Sequence, residues 1–277
     1  MPELHKENIF EKEIVEYLAK NDWLEGDHSK YDREKAIYSE DLVWWLREVN
    51  KIDWQKLSIK SEDDKEKALI VRVCDEMNKN GSLSVLRHGF KHLNAKFHVS
   101  QFKPGSKLNQ DVQERYSKVR CRVVRQIRYS LGNEKSIDLV FFVNGIPVAT
   151  AELKTDFTQN VNDAIRQYKF DREPKDPISK REEPLLAFKK RALVHFAISS
   201  DEVYMTTELK GKDTFFLPFN KGFDEGAGNP PNPVTGYRTA YLWEEVLQKD
   251  NLLKILGRFV HLEKEEKTDD KGKTKVV

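Results

Sequence analysis

Residues 136–154, SIDLVFFVNGIPVATAELK, place Asp138, Glu152 and Lys154 on two apolar runs that flank the pair Asn144-Gly145. An Asn-Gly pair between apolar runs is a strong short-range signal for a β-hairpin, so the segment predicts two adjacent antiparallel strands. Charged side chains in apolar strands are costly unless they pair, become neutral or bind a metal ion. The segment therefore predicts a sheet that carries a metal site.

The hairpin can form this site only if its register is irregular. A regular two-residue loop would set Asp138 opposite Ala151, and because neighbouring side chains alternate between faces, Asp138 and Glu152 would point to opposite sides of the sheet. A three-residue loop over 143–145, or a bulge near Pro147, shifts the register by one. Pro147 cannot donate to the ladder, which favours a disturbance there. We predict one of these two irregularities.

The order of the three charges also indicates a chemistry. An Asp followed fourteen positions later by Glu-x-Lys resembles the D…ExK signature of the PD-(D/E)xK nuclease superfamily. Magnesium prefers oxygen ligands, so Asp138, Glu152 and the carbonyl of Leu153 could hold it beside a phosphate. Lys154 would emerge on the same face as Glu152, where its ammonium could orient an attacking water or stabilise charge in the transition state.

Charge and cysteine content restrict the class of protein. The 277 residues carry a net charge of only +2, but one stretch is strongly basic and could bind a polyanion or simply form a solvated strand face. Its basic residues are Lys103, Lys107, Arg115, Lys118, Arg120, Arg122, Arg125 and Arg128. The two cysteines lack CxxC spacing, and we find neither a secretory signal nor an apolar run of eighteen residues. We expect a cytoplasmic protein without a membrane span.

Hydrophobic periodicity predicts an α/β fold. Residues 34–49, 63–79, 161–168 and 241–262 have helical spacing, whereas 120–130, 191–199 and 202–206 are typical of strands. A first helix is expected to start near Asn8, where Asn8 and Glu11 could form a capping box. Glu11 has two interpretations, a helix cap or an extra carboxylate that faces the metal site. His195 lies in an apolar run and is interpreted as a core histidine.

Several longer segments of the sequence resemble a known protein family. FEKEIVEYL, RVVRQIRYS, the hairpin segment, NVNDAIRQYKFDREP and the block from FFLPFNKG to GRFVHL resemble the N-terminal endonuclease region of the type I restriction enzyme R (HsdR-type) subunit. The resemblance implies a PD-(D/E)xK, restriction-endonuclease-like core with a mixed central sheet flanked by helices. It also implies a bacterial or archaeal protein with type I site-specific deoxyribonuclease activity, which we expect to be weak in this chain alone.

Site residues follow from the same resemblance. Asp138, Glu152 and Lys154 become catalytic, with Asp138, Glu152 and Leu153 binding Mg²⁺ and Glu11 supporting them. Gln167 matches the glutamine of the family's Q-x-x-x-Y motif, but Asp171 stands at the tyrosine position. Tyr168 or Lys169 could replace that tyrosine, and if Tyr168 is itself the motif's tyrosine, the glutamine position becomes Ala164. The expected DNA-binding residues are Arg125, Arg128, Tyr168 and Lys169.

The resemblance further implies a division of the chain and a set of partners. We expect an endonuclease domain over 1–210, a connecting segment with C-terminal helices over 211–262, and a charged linker over 263–277 toward motor domains that this chain lacks. ATP would act only through those motor domains. Double-stranded DNA and the methyltransferase and specificity subunits are the expected partners. Two alternatives remain: a catalytically silent nuclease-like binding or assembly module, and the nuclease domain of another helicase-linked enzyme.

Overall fold

The computed structural model describes residues 2–59, 61–105, 108–155, 160–263, 266–268 and 274–276. Its helices are α1 (Pro2–Ala19), α2 (Ser39–Val49), α3 (Lys51–Lys56), α4 (Glu62–Asn80), α5 (Ser82–His88), α6 (Gln110–Ser117), α7 (Val161–Phe170) and α8 (Lys249–Lys254). Its strands are β1 (Trp23–Gly26), β2 (Phe90–His92), β3 (Ala95–Phe97), β4 (Cys121–Arg128), β5 (Ser136–Val143), β6 (Ile146–Leu153), β7 (Val194–Ile198), β8 (Val203–Thr206), β9 (Leu217–Pro218), β10 (Glu266–Thr268) and β11 (Thr274–Val276).

The central sheet has seven strands in the order β1-β4-β5-β6-β7-β8-β9. It is mixed: β1 pairs with β4 and β6 with β7 in parallel, and the other neighbours are antiparallel. Two short antiparallel pairs, β2-β3 and β10-β11, stand apart from it. The predicted α/β class with a mixed central sheet flanked by helices is confirmed, and the architecture is consistent with a restriction-endonuclease-like core.

Two hydrophobic clusters cover the sheet. The larger contains the apolar side of α1 and residues of α2, α4 and α5, together with Leu139 and Phe141 of β5. The smaller contains Val140 and Phe142 of β5 and the apolar side of α7. Because side chains alternate along a strand, Asp138 shares the face of Val140 and Phe142, which is the face that α7 covers.

Several predicted elements have the expected positions. Helix α4 ends before Gly81, which caps it at a φ of 86°, and Ser61 caps its start by accepting a hydrogen bond from the Asp64 N–H. The strand run 191–199 contains β7, which pairs with β8 as a hairpin. Helix α1 differs from the prediction because it begins at Pro2 and not near Asn8. Asn8 and Glu11 therefore lie inside the helix, and the capping-box interpretation is wrong.

The segment 211–262 belongs to the same core as the rest of the chain. Strand β9 extends the central sheet, and Tyr241, Leu242 and Trp243 pack in the larger cluster beside α1. Residues 241–262 are largely helical as predicted, with α8 between two π-helical turns, Leu242–Val246 and Ile255–Phe259. The division of the chain near residue 210 stays a prediction. Most of the expected linker over 263–277 lies outside the described residues.

Candidate active site

The β5–β6 hairpin turns on two residues in the left-handed conformation. Asn144 and Gly145 have φ angles of 47° and 80°, and Val143 pairs with Ile146, so the loop is the two-residue type. The three-residue loop is therefore wrong. Gly145 also packs closely, since an added Cβ would lie 2.3 Å from the Tyr38 carbonyl oxygen. A residue outside the hairpin also holds the turn, because the Tyr38 N–H donates a hydrogen bond to the Gly145 carbonyl at 2.8 Å.

The predicted bulge follows directly after this turn. Phe142 pairs with Pro147 and Phe141 with Ala149, which leaves Val148 as an extra residue on β6. Leu139 then pairs with Ala151, and the same register sets Asp138 opposite Glu152. The bulge near Pro147 is confirmed. It returns both carboxylates to one face of the sheet, and the Leu153 N–H donates to Asp138 Oδ2 at 2.8 Å.

Glu152 is fully buried beside an arginine that the sequence analysis missed. Arg172, just beyond the end of α7, donates from Nε to Glu152 Oε1 at 2.6 Å. Oε2 of Glu152 is also buried and has no hydrogen-bond partner within the described part of the chain. Burial, and next the negative charge of Asp138, raise the pKa of Glu152 well above its usual value, while Arg172 opposes that rise.

Lys154 follows directly after β6, and only 12% of its side chain is exposed. Its Nζ lies 3.2 Å from Glu7 Oε1, so the first turns of α1 supply the counter-ion of this lysine. Both residues line a cavity of about 180 Å³ that Asp138 also lines. Strands β5 and β6 and helix α1 therefore bring Asp138, Lys154 and two further acidic residues, Glu7 and Glu11, to one cavity.

Glu11 faces this cavity, and it is already paired there. Arg125 donates from Nε to Glu11 Oε1, and Gln126 Nε2 donates to Glu11 Oε2 at 2.9 Å. Burial raises the pKa of Glu11, and its contacts with Gln126 and Arg125 act in the opposite direction. Of the two interpretations of Glu11, the structure supports the carboxylate that faces the site.

The expected metal ligands do not form a larger acidic cluster. Among the described residues, no group of three His, Cys, Asp or Glu side chains is placed to hold a metal ion together. Asp138 and Glu152 are the carboxylates that converge, and Leu153 lies between Glu152 and Lys154 on the same strand. Glu11 contacts Arg125 and Gln126 instead of joining a three-carboxylate ligand set.

Gln167 lines the cavity from α7, whereas Ala164 is buried in the smaller hydrophobic cluster. The structure thus places Gln167, and not Ala164, at the site. Gln167 Oε1 is buried without a hydrogen-bond partner among the residues described. Asp171, at the motif's tyrosine position, is exposed and lies 3.5 Å from the Lys135 ammonium.

The residues expected to bind DNA are scattered. Tyr168 is fully buried and its hydroxyl contacts Thr150 Oγ1 at 2.7 Å, so its predicted DNA contact is wrong because it has no surface to offer. Arg125 forms an ion pair with Glu11, and Arg128 forms one with Glu134 on the surface. Lys169 is partly exposed on α7. Contacts of Arg125, Arg128 and Lys169 with DNA stay predictions.

The basic stretch is not one free surface. Of its eight residues, Lys107 lies outside the described residues. Ion pairs to acidic neighbours involve Lys103, Lys118, Arg120, Arg122, Arg125 and Arg128. Arg122 is buried, with Nε 2.6 Å from Asp41 Oδ2. Six of the eight residues are therefore already paired with acidic side chains of the chain itself.

His195 is a core residue, as interpreted from the sequence. Its ring contacts Thr150 Oγ1 at 2.8 Å, and burial lowers its pKa to about 3. The imidazole is therefore neutral near pH 7 and lies on the same α7-covered face of the sheet as Thr150 and Glu152.

The comparison with protein families decides the relationship. The model of the type I restriction enzyme R protein N terminus matches residues 27–214, more than two thirds of the chain. The chain belongs to this family. It therefore corresponds to the N-terminal region of a type I restriction enzyme R subunit, a family that implies DNA and the other subunits of a complex as partners. Helix α1, which supplies Glu7 and Glu11, lies outside the matched residues.

None of the curated proteins compared with this chain matches it. Among the helices described, none combines the length and the apolar character that a membrane crossing requires.

Proposed function

We propose that this chain is the magnesium-dependent DNA endonuclease domain of a type I restriction-modification R subunit. The observation that carries the proposal is the Val148 bulge, which sets Asp138 opposite Glu152 on one face of the sheet. A bulge is a local departure from regular pairing that commonly re-aims side chains near active sites. Without it, the two carboxylates would lie on opposite faces and could not act together.

The residues at the site fit a magnesium ion. Two buried acceptors, Glu152 Oε2 and Gln167 Oε1, have no partner within the described residues, and unpaired buried acceptors are costly. The negative charge of Asp138 disfavours the charged form of Glu152, an effect that a divalent cation would relieve. Magnesium usually keeps several waters and needs only one or two carboxylates, so a third acidic ligand is not required. We assign Asp138, Glu152 and the Leu153 carbonyl as ligands.

Each of the site's own groups then has a role. Magnesium, when bound, would supply Lewis-acid polarisation of the phosphate. Asp138 is held in position by the Leu153 N–H, and Glu152 by Arg172. The Lys154 ammonium, released from Glu7 or shared with it, would orient the attacking water or stabilise negative charge on the phosphate. Arg128 and Lys169 are proposed as contacts to the DNA backbone.

In the complete enzyme, we propose that cleavage follows ATP-driven translocation by motor domains beyond this chain. The methyltransferase and specificity subunits would provide site recognition. The proposed cellular location is the cytoplasm of a bacterium or archaeon.

Metal binding tests the proposal on this chain. Calorimetric titration with Mn²⁺ should show saturable binding that Asp138→Ala abolishes, while Asp201→Ala, an exposed carboxylate paired with Arg238, should bind as the unchanged chain does. Saturable binding that Asp138→Ala leaves intact would remove Asp138 from the metal site and contradict the proposed function.

One observation favours the alternative of a catalytically silent module. Glu152 is fully buried and already paired with Arg172, as a structural ion pair would be. In that case neither Mn²⁺ nor Mg²⁺ would bind saturably, and the nuclease-like fold would serve binding or assembly. The same titration distinguishes the two functions.

A further inference from the structure

Gln126 has a backbone conformation that its place in the sheet does not predict. It lies within β4 at a φ of 50°, although Arg125 before it and Ile127 after it both pair with β5. The left-handed region is unfavourable for residues other than glycine, and strained residues persist only where surrounding contacts hold them. Ile127 packs in the smaller cluster, whereas strict alternation from Val123 would place it in the larger. The strand is therefore locally turned at Gln126.

The contacts that hold Gln126 are made by its side chain at the proposed metal site. Nε2 donates to Glu11 Oε2 at 2.9 Å and to Asp138 Oδ1 at 3.2 Å. Ser136 Oγ donates to Gln126 Oε1 at 2.8 Å. Because ionised carboxylates only accept hydrogen bonds, the nitrogen end of the amide must face Glu11 and Asp138. The Ser136 contact is consistent with the same orientation.

Both oxygens of Asp138 are thereby fixed. Oδ2 accepts from the Leu153 N–H on β6, and Oδ1 accepts from Gln126 on β4. Gln126 also lies between two carboxylates, Asp138 and Glu11, whose charges would otherwise face each other without a donor between them. Groups that contact metal ligands from outside commonly set the orientation of those ligands and the affinity for the metal.

We propose that Gln126 is a positioning residue of the metal site, which its strained backbone aims at Asp138 and Glu11. The inference rests on the proposed function, because it concerns the carboxylate that would hold the metal ion. Gln126 acts through Asp138 and does not itself bind the metal.

The test compares Gln126→Gly with Leu93→Gly in the full chain. Glycine tolerates the left-handed conformation, so Gln126→Gly removes the amide without adding backbone strain. Leu93 has a φ of 52° in an exposed turn between β2 and β3, so Leu93→Gly reproduces the backbone change away from the site. The readouts are the Mn²⁺ dissociation constant from calorimetry and the denaturant midpoint in EDTA.

We expect Gln126→Gly to weaken Mn²⁺ binding about tenfold, as the loss of an outer partner of a metal ligand does. Leu93→Gly should leave the Mn²⁺ affinity unchanged. If the unchanged chain binds Mn²⁺ and Gln126→Gly binds it equally well, the positioning role is wrong and the metal site stands. If the unchanged chain does not bind Mn²⁺, the proposed function itself fails.

A second variant, Gln126→Glu, tests the same role if Gln126→Gly does not fold. This variant preserves size but replaces the donor by a third carboxylate beside Glu11 and Asp138. We expect Mn²⁺ to raise its unfolding temperature by more than it raises that of the unchanged chain, because the cation offsets the added repulsion. An equal rise in both proteins would overturn the role of Gln126.

Discussion

Arg172 Nε lies 2.6 Å from Glu152 Oε1, and both side chains are buried. The two residues are 20 positions apart in the chain and meet because α7 returns its C-terminal end to the face of β6. This pair supplies the positive charge that a fully buried carboxylate beside Asp138 requires. It connects the stability of the fold with the chemistry of the site.

Breaking the pair from one side should destabilise the protein strongly. Arg172→Gln leaves Glu152 without its counter-ion, and removal of one partner from a buried ion pair typically costs about 3–5 kcal/mol. The measurement is the free energy of unfolding from urea denaturation in EDTA. The control is Arg181→Gln, because Arg181 is 61% exposed and lies 3.9 Å from Glu34. That variant should change stability by less than about 0.5 kcal/mol. Similar losses in both variants would contradict this account of the buried pair.

The hairpin turn should tolerate no side chain at Gly145. Gly145→Ala adds a Cβ that would meet the Tyr38 carbonyl oxygen, and it also forces alanine to a φ of 80°. Gly236→Ala separates the two effects, since Gly236 has a φ of 78° and open space around it. We expect a loss of about 1–2 kcal/mol for Gly236→Ala from the backbone alone. Gly145→Ala should lose roughly 1–3 kcal/mol more because of the clash. If both variants lose the same free energy of unfolding in urea denaturation, the Tyr38 backbone moves away from the added Cβ without destabilising the protein.

The sequence predicted an irregular hairpin, because a shared metal site required both carboxylates on one face, and Pro147 favoured a disturbance near it. It left open a three-residue loop or a bulge, and only the structure decided for the bulge. The left-handed conformation of Gln126 could not be predicted, since the residue is neither glycine nor asparagine, the two types that commonly adopt it. Arg172 was missed because its contact with Glu152 depends on the path of the chain after α7. For Tyr168 a signal did exist. It shares the apolar side of α7 with Val161, and that periodicity argued for the core over a DNA contact.

His195 should make the stability of the fold depend on pH. Burial lowers its pKa in the folded protein to about 3, whereas an unfolded histidine titrates near about 6.5. Between these values the unfolded chain binds the proton and the folded chain does not, so this residue's contribution reduces stability as the pH falls through that window. The difference between the unchanged chain and His195→Gln isolates the effect. We expect the unchanged chain to lose a few kcal/mol more than the variant between pH 7 and pH 4. Parallel pH profiles would contradict a neutral buried imidazole.

Lys154 offers the sharpest test of the proposed chemistry in the complete restriction complex. Its ammonium lies in the cavity with Asp138 and is only 12% exposed. If it stabilises charge on the phosphate, Lys154→Ala should reduce DNA cleavage by about 10²–10³-fold. ATP hydrolysis should persist, because we propose that it takes place in motor domains outside this chain. Loss of cleavage together with ATP hydrolysis would indicate that Lys154 serves mainly as the structural partner of Glu7. A matched variant, Lys12→Ala, removes an exposed lysine of α1 that pairs with Glu16 and should leave both activities intact.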